Sequence, residues 1–545
     1  DPNIVWASCY GDEITRYDAR VGVARSVSPW MHTLDSQPNL LQYRCHWTPP
    51  MAVDPFDGSV YYGCQVIFHT SDAGQSWQVI SPDLSTRNPA QIVSSGGLVG
   101  DNLGQFYGDL VFAIAPSPIQ RHLLWAGTND GKLWYTKDGG THWVDVTKNI
   151  PGLPPDGTVV QISPSHFDPG TAYVAYDLHL IDNRAPYLFK TSDFGQTWTA
   201  IAGGLPHGNQ LDYTRSIAEN PNRRGMLFAG TGHGFFYSLN DGQSWNQFQQ
   251  GLPRSPVTWI TVEPRYHDVV VATYGRGIYV LRDITAFEQT GETAPPAGEN
   301  QLFAPRPGFR QARSGSAEFE FTLAAAPSTP LRIQVADAAG VVRNLEVAAH
   351  AGLNRVNWDL RYDAPNAVAL RTTPDDNPHI WEEPRFRGQQ TRSVTHWGIE
   401  GAQHAGPLAA PGEYRVRLSL GGQNLSQSFQ VIKDPAIAAS DADLAASTKM
   451  QVRVRDDMNQ AVAMIDRLEV VRRQVQDQLA ANQAKPEMVS SLDGFQKKLM
   501  DVELQLLSRS SMQSDDKYYP EQYKAYMNLI WFNGEIGTGA GDVAG

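Results

Sequence analysis

Along the first half of the chain, short apolar runs are broken at regular intervals by polar turns. In residues 117–143 the order is SPIQRH, the apolar LLWAGT, the polar NDGK, the apolar LWYT, and then KDGGTHW. The same order recurs in DPFDGSVYYGCQVIFHTSDAGQSW, in DPGTAYVAYDLHLIDNRAPYLFKTSDFGQTW and in NPNRRGMLFAGTGHGFFYSLNDGQSW. Runs of four to six apolar residues bounded by Gly, Asn, Asp and Pro predict short antiparallel strands rather than helices. DPNIVWASCYGDEITRYD at the start and EPRYHDVVVATYGRGIYVLRD at 263–283 share the pattern without its final box. Six units of about 45 residues, each a few short strands, predict the blades of a β-propeller.

The box ending four of the units reads [ST]-x-[DN]-x-G-x-x-W. Its candidate structural residues are Asp72 and Trp77, Asp138 and Trp143, Asp193 and Trp198, and Asn240 and Trp245. The carboxylate or amide can accept main-chain N–H groups across a turn, the Gly supplies a positive φ, and the Ser/Thr hydroxyl ties the other end. The Trp then packs between blades. With strands running outward from the axis, the box lies at the turn between third and fourth strands, so function is expected on the opposite face.

That opposite face receives the turns between second and third strands, which carry Asp12, Glu13, Gln65, Asp130, His179, Asp182, Arg184, His233 and Arg276. Approaches to the first strands add Asp101, Tyr107, Asp109, Asp212, Tyr213 and Arg215. His179, Asp182, Arg184, His233 and Arg276 are the expected ligand-binding set. A glycosidase needs two carboxyl groups roughly 5–9 Å apart, and Asp101, Asp109, Asp182 and Asp212 are the candidates. His179 with Asp182 is too small a set to predict a metal site, and no cofactor is expected. HExxH, GxSxG and P-loop patterns are missing, which leaves zinc peptidase, serine hydrolase and NTPase chemistry without support.

Past Thr285 the pattern changes. Residues 288–310 read as a Pro- and Gly-rich linker, and alternation in EFEFTLAA, LRIQVADAAGVVRNLEV, GLNRVNWDLRY, PGEYRVRLSL and QSFQVIKD predicts an immunoglobulin-like β-sandwich over 311–435. Residues 363–407 form an insertion in it. Met458, Val462, Ile465, Leu468, Val475 and Leu479 fall on one stripe, and Met488, Leu492, Phe495, Leu499, Val502 and Leu506 on a second, with Lys485-Pro486 between. A helical hairpin and tail over 436–545 follow. The propeller is expected over 1–287.

Composition narrows the partners. Acidic residues outnumber basic ones, 57 to 44, for a net charge of -13, and no Lys/Arg cluster offers a surface to nucleic acid. No apolar run reaches the ~18 residues of a transmembrane helix. The three cysteines, Cys9, Cys45 and Cys64, are expected as free thiols, because facing positions in adjacent blades usually stand too far apart to bridge.

The boxes are similar to Asp-box (BNR) repeats. With YRCHWTPPMAVDP at 43–55, VISPDLST at 79–86, VATYGRGIYVLRDIT at 271–285 and AGLNRVNWDLRY at 351–362, nearly the whole chain resembles the bacterial sortilin-like propeller proteins often labelled glycosyl hydrolases. The resemblance implies an extracytoplasmic location: periplasmic, envelope-associated or secreted. It also implies a binding or scaffold role, holding a peptide, glycan or protein partner, with glycoside hydrolysis as the alternative. Further blades N-terminal to this region are implied too, which fits a start at Asp1 inside a strand pattern and makes the chain's own N-terminal propeller region, or another subunit, a possible partner.

Overall fold

The computed structural model describes residues 3–9, 13–30, 38–46, 48–93, 108–248, 250–291, 298–311, 314–394, 401, 404–513 and 522–537. The chain divides into two compact units, Asp1–Ala294 and Pro295–Gly545.

The first unit is a β-propeller of six antiparallel sheets. Blade 1 holds β1 (Ile4–Cys9), β2 (Glu13–Asp18) and β3 (Val23–Ser26), and blade 2 holds β4 (Met51–Val53), β5 (Val60–Gly63), β6 (Ile67–Thr70) and β7 (Gln78–Val79). Blade 3 holds β8 (Val111–Pro116), β9 (Leu124–Thr128), β10 (Leu133–Thr136) and β11 (Val144–Asp145), and blade 4 holds β12 (Thr158–Pro164), β13 (Ala172–Asp177), β14 (Tyr187–Thr191) and β15 (Thr199–Ala200). Blade 5 holds β16 (Thr214–Glu219), β17 (Leu227–Thr231), β18 (Phe235–Ser238) and β19 (Asn246–Phe248), and blade 6 holds β20 (Val257–Glu263), β21 (Asp268–Thr273) and β22 (Gly277–Leu281). A four-residue helix, α1 (Thr285–Glu288), follows.

Neighbouring blades sit close because one position on the second strand is small. A Cβ at Gly127 would stand 2.2 Å from Val159 of the next blade, and one at Gly230 would stand 2.5 Å from the Val257 main-chain O. No side chain fits there without moving the neighbouring blade.

The boxes occupy the turns between third and fourth strands, as expected, and they fasten each blade to the one before. In the first box Asp72 accepts from the Thr70 hydroxyl at 2.9 Å, the Ser76 N–H at 2.9 Å and the Ser76 hydroxyl at 2.7 Å. The Ser76 hydroxyl leads the groups that hold the Asp72 carboxyl down at about 2. Gly74 has φ 84°, and its Cα faces Val27 of blade 1 so closely that a Cβ would lie 2.7 Å away. Trp77 Nε1 donates to Val27 O at 2.7 Å, Trp143 Nε1 to Ile80 O at 3.0 Å and Trp245 Nε1 to Ile201 O at 2.8 Å. Trp198 differs, donating within its own box to Gly195 O at 3.2 Å while its ring meets Trp125 edge-on.

One expectation is corrected here. Cys45 and Cys64 form a disulfide, with Cα atoms 4.1 Å apart. Residues 42–45 do not sit in a neighbouring blade but run beside the β5–β6 turn, where Arg44 N donates to Gln65 Oε1 at 2.7 Å and Gln65 Nε2 to Gln42 O at 2.8 Å.

In the second unit β23 (Gln301–Leu302), β24 (Gly308–Arg310), β25 (Gly315–Leu323), β26 (Leu331–Asp337), β27 (Gly340–Val347), β28 (Gly352–Trp358), β29 (Gly412–Leu420) and β30 (Gln423–Lys433) join into one eight-stranded set. Its core includes Phe319, Phe321, Trp358 and Phe429. Helices α2 (Asp441–Ala481) and α3 (Pro486–Leu506) make the expected hairpin, with α4 (Arg509–Gln513) and α5 (Ala525–Gly537) beyond it. Val368, Leu370 and Val394 of the insertion pack with Met458, Ile465, Tyr526 and Ile530 of α2 and α5. Beneath that contact Glu469, Arg472 and Glu503 are all buried, with Arg472 paired to both carboxylates. Glu469 also accepts from Thr372 N at 2.8 Å and Thr372 Oγ1 at 2.6 Å. This network pins the insertion to the helices.

Candidate functional site

The polar groups collect on the face opposite the boxes, most densely where blades 4 and 5 meet. Asp177, the last residue of β13, is buried. It accepts from Arg215 Nη1 of β16 at 2.6 Å, and both its oxygens lie 2.7 Å from His179 Nδ1. The His179 main-chain N–H adds a 2.9 Å bond, so the carboxylate fixes the ring from two sides. His179 begins a short 3-10 turn after β13 and stacks on Tyr213 with centroids 4.4 Å apart and planes 18° from parallel. Burial pushes the Tyr213 hydroxyl up, with the Arg215, Asp177 and Arg184 charges close enough to act on it. One anion, two guanidiniums, an imidazole and a phenol thus share a small area.

The expected ligand-binding residues divide around this cluster. His179 and Arg184 belong to it. Asp182 sits at a left-handed φ of 62°, its side chain almost fully exposed and 3.5 Å from Arg184. It does not join His179 in a chelating pair. Among the described residues no group of three or more His, Cys, Asp or Glu could hold a metal. His233 is one step away, its Nδ1 2.8 Å from Leu211 O and 3.9 Å from Asp212 Oδ1. It borders a small pocket with Arg254 and Thr273. Arg276 stands exposed in the β21–β22 turn, and no side-chain bond ties it to the others among the described residues.

The carboxylate candidates also separate. Asp12, Asp101 and Tyr107 lie outside the described residues. Asp212 is buried and accepts from Asn209 N at 2.6 Å, so it shapes a loop. Asp109 is buried ahead of β8, where its Oδ2 accepts from Asn88 N and, at 3.3 Å, from Thr86 Oγ1. Asp130, in the β9–β10 turn, accepts from Thr86 N at 2.6 Å. Thr86 therefore bridges two buried carboxyl groups. Burial, and next the Asp130 charge, push the Asp109 carboxyl up. Asp109 Oδ1 and Asp130 Oδ1 each lack a hydrogen-bond partner among the described residues.

Asp177 was not named from the sequence, and Asp130, though placed on this face, was not among the expected carboxyl candidates. Asp177 closes a strand and carries no turn signature; only its place two residues before His179 could have marked it. Asp130 lies in Asp-Gly, which reads more simply as a hairpin turn.

No protein-family model matches the chain. It is 26% identical over 190 residues to an oligoxyloglucan-reducing end-specific xyloglucanase of Emericella nidulans, covering 32% of this chain and 23% of that protein. The chain thus matches about a quarter of that relative's length. Among solved structures it is similar to the GH74 xyloglucanase from Xanthomonas campestris, with TM-score 0.40 and 16% identity over 58% of this chain and 49% of that one. It is also similar to the GH74 enzyme of Niastella koreensis, with TM-score 0.35 and 11% identity over 77% and 75%. YCF48 from Cyanidioschyzon merolae gives 0.32 and 12% over 58% and 89%.

Proposed function

We propose that this chain acts on polysaccharide as a glycoside hydrolase, with the glycan held on the propeller face that carries the 177–215 cluster. The observation that carries the reading is the 190-residue likeness to a xyloglucanase. The carboxyl pair this reading uses is Asp109 and Asp130, which share Thr86 as a donor. Hydrolysis of a glycosidic bond needs one carboxyl that stays protonated to donate to the leaving oxygen and a second that remains charged. Burial and a neighbouring negative charge raise Asp109 in that sense, and Asp130, joined to it through Thr86, is the second carboxyl of the proposed pair. Tyr213 and His179 offer a flat stacked edge, and Arg184 and Arg215 offer donors to sugar hydroxyls.

A second reading, a binding propeller without catalysis, is favoured by a different observation. Asp109, Asp130 and Asp212 each accept a main-chain N–H, which is the work of loop-holding carboxylates. The Cys45–Cys64 disulfide supports an extracytoplasmic setting for either reading, since disulfides persist in oxidising compartments. Among the described residues no helix is long and apolar enough to cross a membrane. The four boxes share one place, the turn between third and fourth strands, in keeping with the proposed Asp-box, sortilin-like resemblance.

Incubating the protein with xyloglucan, other β-glucans and a panel of immobilised glycans separates the readings. New reducing ends support hydrolysis; retention without cleavage supports glycan binding; neither result on any glycan sinks hydrolysis and glycan binding alike, leaving a peptide or protein partner.

A further inference from the structure

At the junction of blades 4 and 5 a third-strand cation meets the box of the next blade. Lys190 of β14 pairs across from Tyr173, and its ammonium is bonded to the carboxylate of Asp241, the fourth residue of the blade 5 box. The Tyr173 hydroxyl donates to the same carboxylate at 2.8 Å. Cation, phenol and anion close that junction.

The equivalent positions between blades 1 and 2 hold the cation without its anion. Arg16 pairs across from Trp6 as Lys190 pairs with Tyr173, and the two cations lie at the same offset from the buried residues Ile14 and Leu188. The fourth residue of the blade 2 box is Ala73, with φ 62° where Asp241 has 61°. Its methyl group brings no charge to Arg16. The guanidinium stands 4.0 Å from Asp18, whose two oxygens are bonded to Arg20 at 2.9 and 2.7 Å. Arg16 Nε is buried without a hydrogen-bond partner among the described residues. The space left between the facing sides of blades 1 and 2 is a cavity of about 330 Å³, whose lining includes Trp6, Arg16, Asp57, Ser59, Ser71 and Ala73. Asp57 already accepts from Ser59 N at 3.0 Å and pairs with Arg121 at 3.3 Å.

We propose that this cavity binds a uronic-acid sugar, whose carboxylate takes on Arg16 the place that Asp241 takes on Lys190. A planar carboxylate is the partner that a guanidinium holds with two parallel bonds. The Trp6 ring offers a flat apolar surface to one face of a sugar, and Ser71 and Asp57 offer partners to its hydroxyls. The cavity is of the size that small ligands occupy. It lies on the box face, opposite the 177–215 cluster, and does not depend on the proposed hydrolysis.

The test is titration calorimetry of the full 545-residue chain with sodium glucuronate, and with glucose and sodium acetate as controls, for the parent, Arg16→Gln and Ala73→Asp. The parent should bind glucuronate with a Kd on the order of 1 mM. Glucose and acetate should bind at least about 10-fold more weakly, since each lacks half of the contacts. Arg16→Gln should weaken glucuronate binding at least about 10-fold, as the loss of a charge-assisted hydrogen bond does. Ala73→Asp should abolish it, because the new carboxylate occupies Arg16 itself, and should raise the thermal midpoint; Asp241 already adopts the backbone conformation required. A parent that binds no glucuronate, an unchanged affinity in either folded variant, or glucose or acetate bound as tightly as glucuronate would each overturn the proposal.

Discussion

Arg215 and Asp177 belong to different blades, and their guanidinium and carboxylate meet at 2.6 Å. The same carboxylate holds His179 at 2.7 Å. The rim of the proposed glycan face is therefore organised around one anion.

Replacing that anion should loosen the rim. Asp177→Asn keeps the shape but removes the charge that Arg215 and His179 share. Both partners are about a quarter exposed, so the expected loss is about 1–3 kcal/mol rather than that of a fully buried pair. Urea denaturation would measure it, and an unchanged midpoint would show that the cluster does not stabilise the blade 4–blade 5 contact.

The boxes make a graded prediction. Trp198 and Trp245 are buried, whereas Trp77 and Trp143 keep partly exposed rings. Trp198→Ala should cost about 3–5 kcal/mol through the cavity it leaves, and Trp143→Ala clearly less. Gly242→Ala should also destabilise, since φ is 81° and the new methyl would stand 2.8 Å from Ile201. If Trp143→Ala proves as costly as Trp198→Ala, burial is not what sets the scale.

In the second unit the buried acidic pair predicts a pH dependence. Burial, then the Glu469 charge, push the Glu503 carboxyl up to about 8, against the pull of Arg472. A carboxyl raised in the folded state binds more protons there than in the unfolded chain, so its stabilising contribution is full below the ordinary range near 4.5 and falls as pH rises towards 8. Glu503→Gln should flatten the decline in the thermal midpoint between pH 5 and pH 8, a window on the order of the shift itself. A slope identical in parent and variant would assign the dependence to other groups.

The disulfide predicts a reducing-agent effect. Cys45 and Cys64 are both buried and close a short loop, 19 residues apart. Cys64→Ser should lower stability by about 2–4 kcal/mol, chiefly by freeing the unfolded chain. Peptide mapping without reductant should recover the linked pair; two free thiols would contradict it.

These outcomes show where the sequence is legible. The blade order and box turns could be read because each box repeats the same bonding groups at fixed spacing, and local turn chemistry survives translation into structure. The disulfide could not, because it depends on residues 42–45 returning to the β5–β6 turn through Gln65, a long-range contact with no local signal. Asp177 was hidden for a similar reason: its role comes from Arg215, 38 residues away on another blade. The insertion's packing on α2 and α5 depends on Glu469 meeting Thr372 across 97 residues, which no periodicity records.

Asp109 and Asp130 are proposed as a working carboxyl pair, and the rate of reducing-end release from xyloglucan by the parent protein, Asp109→Asn and Asp130→Asn tests that pairing. Asn preserves the acceptor oxygens that hold Asn88 and Thr86, so folding, followed by thermal midpoint, should be kept. Hydrolysis should fall by at least about 100-fold in each variant, the loss expected of a missing acid or base. A parent that cleaves xyloglucan while both folded variants cleave it equally well would contradict the assignment of the pair.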